Sequence, residues 1–210
     1  MAEGQAPIRI LVVDDHAMLR EGVAAMVARE PGIEVVGEAE DGERAIEAYG
    51  ALRPDVVLLD LQMPVMDGLA AITEIRHRWP GARIIVLTTY KGDVQAVRAL
   101  KAGASGYLLK TSLRKELVDA IRIVHAGRRY VLAEVAQEIA VHAADEPLSE
   151  REVSILSLVA AGKSNKLVAH ALRLSEDTIK AHLRSIFSKL DAADRTEAVT
   201  VAARRGIISI

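Results

Sequence analysis

Val56-Val57-Leu58-Leu59-Asp60-Leu61-Gln62-Met63-Pro64 is the stretch whose reading decides the fold. Four consecutive aliphatic residues, preceded by Pro54 and closed by an acid and a Met-Pro turn, have the length and branching of a strand buried on both faces, as in a parallel sheet. Asp60 then stands just past the carboxyl end of that strand. In open α/β sheets the ligand crevice lies outside the carboxyl ends of the strands, so Asp60 is a candidate site residue as well as an ordinary turn residue.

The flanking segments repeat the pattern. Upstream, residues 8–13 form an apolar run ending in Asp14-Asp15, and residues 16–29 carry Leu19, Val23, Met26 and Val27 at helical spacing. Residues 33–37 read as a second short strand and residues 43–52 as a helix. Downstream, residues 68–79 are helical and are stopped by Pro80-Gly81; residues 83–87 are an aliphatic strand ending in Thr88-Thr89. Residues 94–102 are helical, residues 106–109 form a fifth strand ending in Lys110, and residues 113–126 place Leu117, Ile121 and Val124 on one helix face. Five βα units in a row predict a doubly wound parallel sheet of the α/β class.

At 210 residues the chain has room for one or two domains, each able to bury its own core. Half of it is hydrophobic and only 3% aromatic, so the cores are built from Ala, Val, Leu and Ile. No apolar run approaches the roughly 18 residues needed to cross a bilayer, and Met1 to Pro7 carries Glu3 but no basic or apolar signal region; no membrane association and a cytoplasmic location are expected. The lack of cysteine excludes disulfides, thiolate chemistry and Cys-ligated zinc. The charge is uneven: residues 1–127 sum to −3, residues 128–147 to −2 and residues 148–210 to +3. A basic carboxyl-terminal module fits a polyanionic partner.

The polar residues at strand ends are Asp14 and Asp15, Asp60, Thr88 and Lys110, and a parallel sheet projects all of them to one side. Clustered carboxylates repel unless a cation joins them, and hard oxygen ligands with room for water and phosphate suit Mg²⁺. In this order and spacing the first 127 residues resemble the receiver domain of bacterial two-component response regulators. The resemblance implies a flavodoxin-like five-stranded parallel sheet, Asp60 as phosphoacceptor, and Mg²⁺ or Mn²⁺ held by Asp14, Asp15, Asp60 and the backbone carbonyl of Gln62. It also implies that Thr88 and Lys110 hold phosphoryl oxygens and that Tyr107 is an aromatic switch turning inward with Thr88. Dehalogenase-like phosphatases share the phospho-Asp chemistry but place a second Asp where this chain has Gln62, so no separate enzymatic activity is expected. Thr111 follows Lys110 where many receivers have proline, and a cis bond there would cost ~2.5–4 kcal/mol. His16 reads as a surface residue beside the site, Met63 and Met66 as loop packing, and Trp79 as a helix end packed on its neighbour.

Residues 128–147 read as a linker with one helix over residues 133–144. Residues 148–210 form a second module. Ser149 and Glu152 make a capping box ahead of Val153, Leu156 and Val159, with Gly162 as the stop. Ser164 caps a short helix, and Ser175 caps the next, where Ile179, Leu183, Ile186 and Leu190 bury one stripe while Lys180, Ala181, Arg184 and Ser188 face out. Two such helices joined by a tight turn form a helix-turn-helix; a plain helical bundle with a solvated basic face is the other reading. Residues 148–208 resemble the LuxR-type module of the NarL/FixJ subfamily, on Leu148-Ser149-Glu150-Arg151-Glu152, residues 161–166, Thr178-Ile179-Lys180-Ala181-His182 and Lys189-Leu190. That resemblance implies that Lys180, Ala181 and Arg184 face bases and that Asn165, Lys166, Thr178, His182 and Lys189 contact the DNA backbone.

Together the two resemblances imply a phosphorylation-controlled transcription regulator. Its expected partners are a sensor histidine kinase, double-stranded promoter DNA, RNA polymerase and, when phosphorylated, a second copy of itself. A constitutive DNA-binding protein with an inactive receiver is the non-enzymatic alternative. The opposite charges of the two halves further predict a closed unphosphorylated form in which the receiver covers part of the helix of residues 175–190.

Overall fold

The computed structural model describes residues 6–89 and 92–208. It separates into two compact units, Met1–Thr89 with Ala96–Ala133, and Tyr90–Gln95 with Glu134–Ile210. The first is a parallel sheet wound with helices: β1 (Ile8–Val13), α1 (Ala17–Val27), β2 (Ile33–Ala39), α2 (Gly42–Leu52), β3 (Val56–Asp60), α3 (Gly68–Arg78), β4 (Ile84–Thr88), α4 (Asp93–Ala102, from Ala96 onward in this unit), β5 (Gly106–Leu109), α5 (Leu113–His125) and β6 (Tyr130–Val131). The strand order is β2-β1-β3-β4-β5-β6. In β3, β4 and β5 every residue is buried, because helices cover both sheet faces and leave no face for polar residues. The edge strand β2 is buried only at its two ends, Ile33 and Ala39, with Glu34 and Glu38 exposed and the residues between them half-buried.

Among the described residues six strands stand where five were expected. Tyr130 and Val131 add to β5 in parallel, Gly106 facing Tyr130 and Tyr107 facing Val131. A Cβ on Gly106 would come within 3.2 Å of the Tyr130 carbonyl oxygen, so this close approach favours glycine. The Tyr130 hydroxyl bonds Glu116 of α5. A two-residue strand has no periodicity to read, and it lies within the segment read as linker, which also holds α6 (Ala133–Val141).

Register places the strand ends. Val13 lies beside Leu59, Asp60 beside Leu87, and Thr88 beside Leu109, so Asp60 is the last residue of β3 and Thr88 the last of β4. The loop after Asp60 is clamped. The Gly68 amide donates to the Leu61 carbonyl at 3.0 Å, and a Cβ on Gly68 would lie 2.1 Å from the Asp60 carbonyl oxygen. Met66 packs on Gly42, whose amide donates to the Met66 carbonyl at 3.2 Å. Trp79 ends α3 with its ring 4.7 Å from that of Tyr49 on α2.

The second unit is helical, with α6 followed by α7 (Glu150–Ala160), α8 (Asn165–Leu172), α9 (Glu176–Leu190) and α10 (Arg195–Arg204). Ser149, Ser164 and Ser175 cap three of these helices through their hydroxyls, and Ser149 with Glu152 completes the capping box. Ile155, Leu156, Val159, Val168, Ile179, Leu183, Ile186 and Leu190 form the core with Ala198 and Ala202. Inside it Glu152 is 4% exposed. Its carboxylate accepts from the Ser149 amide and hydroxyl (2.8 and 3.0 Å), the Ser185 hydroxyl (2.7 Å) and the Lys189 ammonium (3.1 Å). Burial pushes this carboxyl up, but the donors outweigh it and hold it at about 2.

Two predictions concern stability. Gly68→Ala forces the backbone apart at Asp60 and Leu61 and is expected to cost about 1–3 kcal/mol in denaturant unfolding. For Glu152 the folded value is depressed below the ordinary 4.5, so its contribution is full above the unfolded value and is lost as pH falls toward 2. Glu152→Gln is therefore expected to lower stability by about 2 kcal/mol at pH 7. The gap between native and variant chains should close as unfolding is repeated at falling pH; an unchanged gap under strong acid would assign the loss to packing.

Candidate functional site

At the carboxyl end of the sheet Lys110 joins two carboxylates from adjacent strands. Its ammonium lies 2.8 Å from Asp60 Oδ2 and 2.7 Å from Asp14 Oδ2. Asp14 is fully buried and Asp60 is 4% exposed. The other oxygen of Asp60 accepts from the Leu61 amide at 2.8 Å. Lys110 opens a short 3-10 turn, Lys110–Ser112, and the Lys110–Thr111 bond is trans. Burial raises the Asp60 carboxyl above its usual range, Lys110 opposes that rise, and Asp14 adds to it. Burial alone would lower the Lys110 ammonium; the two carboxylates reverse this and raise it.

Asp15 is exposed at the mouth. His16, the residue before α1, donates its amide to Asp14 Oδ1 at 2.9 Å, and its ring Nδ1 lies 2.7 Å from Asp15 Oδ1. Asp14, Asp15, His16 and Asp60 bring ligand atoms within 4.8 Å of one another. Three clustered carboxylates, two of them on the Lys110 ammonium, leave net negative charge in a partly buried crevice, which fits a hard divalent cation at the oxygens. The Gln62 amide hydrogen-bonds the Asp60 carboxylate, and the residue is otherwise exposed at the loop start.

Thr88 is buried at the end of β4, and Tyr107, expected to turn inward, is already fully buried with its hydroxyl bonded to that of Thr88. Burial raises the Tyr107 hydroxyl far above its usual range. Sequence reading missed Arg20, one turn into α1, whose guanidinium donates to the Asp14 carbonyl at 2.6 Å and pairs with Glu38 at 2.9 Å. The six-residue separation from Asp14 gave no signal, because the contact forms only once β1 and α1 pack.

In the second unit Lys180, Ala181 and Arg184 are exposed on one face of α9. Lys180 pairs with Asp177 at 3.0 Å. Lys166 is exposed and Asn165 half-buried at the start of α8, while Thr178 and His182 are half-buried on α9. The Thr178 hydroxyl lies 2.8 Å from that of Ser175. Lys189 stands apart from this set: its ammonium is engaged by Glu146 at 2.9 Å and by Glu152.

Comparison with known proteins finds a family model for each part of the chain. Residues 10–122 match the family model for the response regulator receiver domain, and residues 146–202 match that for bacterial regulatory proteins of the luxR family. The chain is 40% identical over 210 residues to the transcriptional regulatory protein LiaR of Bacillus subtilis, covering 96% of this chain and 100% of that protein. It is similar to the response regulator RcsB in complex with DNA, at 25% identity and a TM-score of 0.72 over 94% of this chain and 98% of that one. A structure of two RcsB dimers on two parallel DNAs matches at 25% identity and a TM-score of 0.71, over 94% of this chain and 98% of that one. The two family models and a 40% identical relative covered over its whole length carry the chain into one family: it is a response regulator with a receiver domain and a luxR-family DNA-binding domain.

Proposed function

We propose that this response regulator is a phosphorylation-controlled transcription regulator, which accepts a phosphoryl group on Asp60 from a sensor histidine kinase and binds promoter DNA as a dimer. The supporting observation is Asp60 itself, a nearly buried carboxylate at the end of β3 with one oxygen on the Leu61 amide and the other on Lys110. An Asp60 oxygen attacks the phosphorus of a phosphoimidazole. The P–N bond breaks, and the imidazole leaves with the electron pair and takes a proton. Lys110 follows the new phosphoryl oxygens, and the Thr88 hydroxyl donates to another of them with Tyr107 packed behind it. Asp14, Asp15, Asp60 and the Gln62 carbonyl are the residues that would hold Mg²⁺ or Mn²⁺, which when bound neutralises charge between carboxylates and phosphoryl group. Gln62 offers no carboxylate to deprotonate an attacking water, so the acyl phosphate lasts as a signal.

In the second unit Lys180, Ala181 and Arg184 read base edges from α9, and Asn165, Lys166, Thr178 and His182 meet the backbone. Lys189 is assigned to holding Glu152 instead. Dimerisation is supported by the RcsB dimers on DNA. The protein acts in the cytoplasm with RNA polymerase downstream.

Acetyl phosphate with Mg²⁺ is expected to add one phosphoryl group, read by mass spectrometry; Asp60→Asn and Asp15→Ala should lose it and His16→Ala should largely keep it. Full labelling of Asp60→Asn would refute the acceptor assignment. On DNA, Lys180→Ala and Arg184→Ala should each cost about 1–3 kcal/mol on a selected operator and less on random duplex. Equal losses on both would reassign these side chains to the backbone.

A further inference from the structure

Arg195 is the first residue of α10 and is half-buried. Its guanidinium reaches back to the turn between α7 and α8, donating to the side-chain oxygen of Asn165 at 3.2 Å and to the Lys163 carbonyl. Its own base is rigid: Asp194 accepts from the Thr196 and Glu197 amides at 2.7 and 2.9 Å, and Glu197 accepts from the Ala193 amide at 2.8 Å. The turn it reaches is equally ordered, with Gly162 at φ +78° and the Lys163 amide on the Leu158 carbonyl at 3.2 Å.

A guanidinium has donors and no acceptor, so the Asn165 atom facing it must be the oxygen. That contact settles the orientation of the side-chain amide and leaves its NH₂ as the end available to a partner. A neutral NH₂ beside the exposed Lys166, on the first residue of α8, suits a phosphate oxygen. We propose that Arg195 is a positioning residue for DNA binding, holding the Asn165 oxygen and the Lys163 carbonyl so that the Asn165 amide NH₂ donates to a backbone phosphate. This rests on the reading of the second unit as DNA-binding, and no base contact is involved.

The test measures affinity of the acetyl phosphate-treated full chain for a labelled random-sequence duplex across a salt series, with thermal unfolding in parallel. Arg195→Ala and Asn165→Ala are each expected to weaken binding about tenfold, and the double variant no further. The slope of log affinity against log salt should be unchanged, since a neutral amide releases no counterion. Asn165→Asp keeps an acceptor for Arg195 but faces phosphate with a negative charge; it should weaken binding at least as much while retaining the native Tm. A slope reduced by about one in Arg195→Ala would make Arg195 a direct phosphate contact and overturn the proposal. So would multiplicative losses in the double variant, or native affinity in Asn165→Asp. Should Arg195→Ala unfold, the two Asn165 variants still decide, because they leave Arg195 in place. A native chain that fails to bind the duplex at low salt would instead overturn the DNA-binding reading itself.

Discussion

The receiver unit depends on the Lys110 ammonium standing between Asp14 and Asp60. Two buried carboxylates on neighbouring strand ends would repel strongly in a medium less polar than water. One cation delivered by β5 makes the arrangement tenable, yet it balances only part of the charge. The residual negative charge is what suits the crevice to a divalent ion, and breaking the triangle would leave a buried ion without a partner. Charge that would be a liability elsewhere is thus concentrated where the proposed chemistry needs it.

The surrounding backbone keeps that triangle in place. Gly68 lets the start of α3 lie directly on the Asp60 carbonyl, and Gly42 lets Met66 close on the start of α2. Both glycines serve close approach between segments, a role distinct from the φ > 0 turns that glycine also supplies. With the loop pinned at both ends, Gln62 begins it at a set place beside Asp60. Arg20 ties α1 to the Asp14 carbonyl and so links the first helix to the same crevice.

The helical unit uses a related device for another purpose. Glu152 is a buried charge with its acceptor capacity filled by two serines and a lysine, and a polar network this fully satisfied rigidifies the junction of α7 and α9. Lys189 is part of that junction, its ammonium held by Glu146 and Glu152. Arg195 does for the α7–α8 turn what Glu152 does for α7 and α9. Recognition helices need this rigidity, because a misplaced phosphate contact shifts every base contact along the groove.

The sequence by itself determined the wound parallel sheet, the strand-end identity of Asp14, Asp60, Thr88 and Lys110, and the three serine-capped helices. These follow from period, β-branching and cap chemistry within a few residues of one another, and such local signals survive in one dimension. Tertiary structure alone decided the sixth strand, because two residues at Tyr130 and Val131 carry no period and pair only after α5 brings them to the sheet edge. It alone decided that Gly68 is a packing contact, that Lys189 belongs to Glu152, and that Arg20 and Arg195 brace their sites. Each of these is a pairing between segments separated in the chain or turned toward each other by packing. No spacing in the sequence encodes which of many arginines and lysines will find such a partner; the distance across the folded chain does.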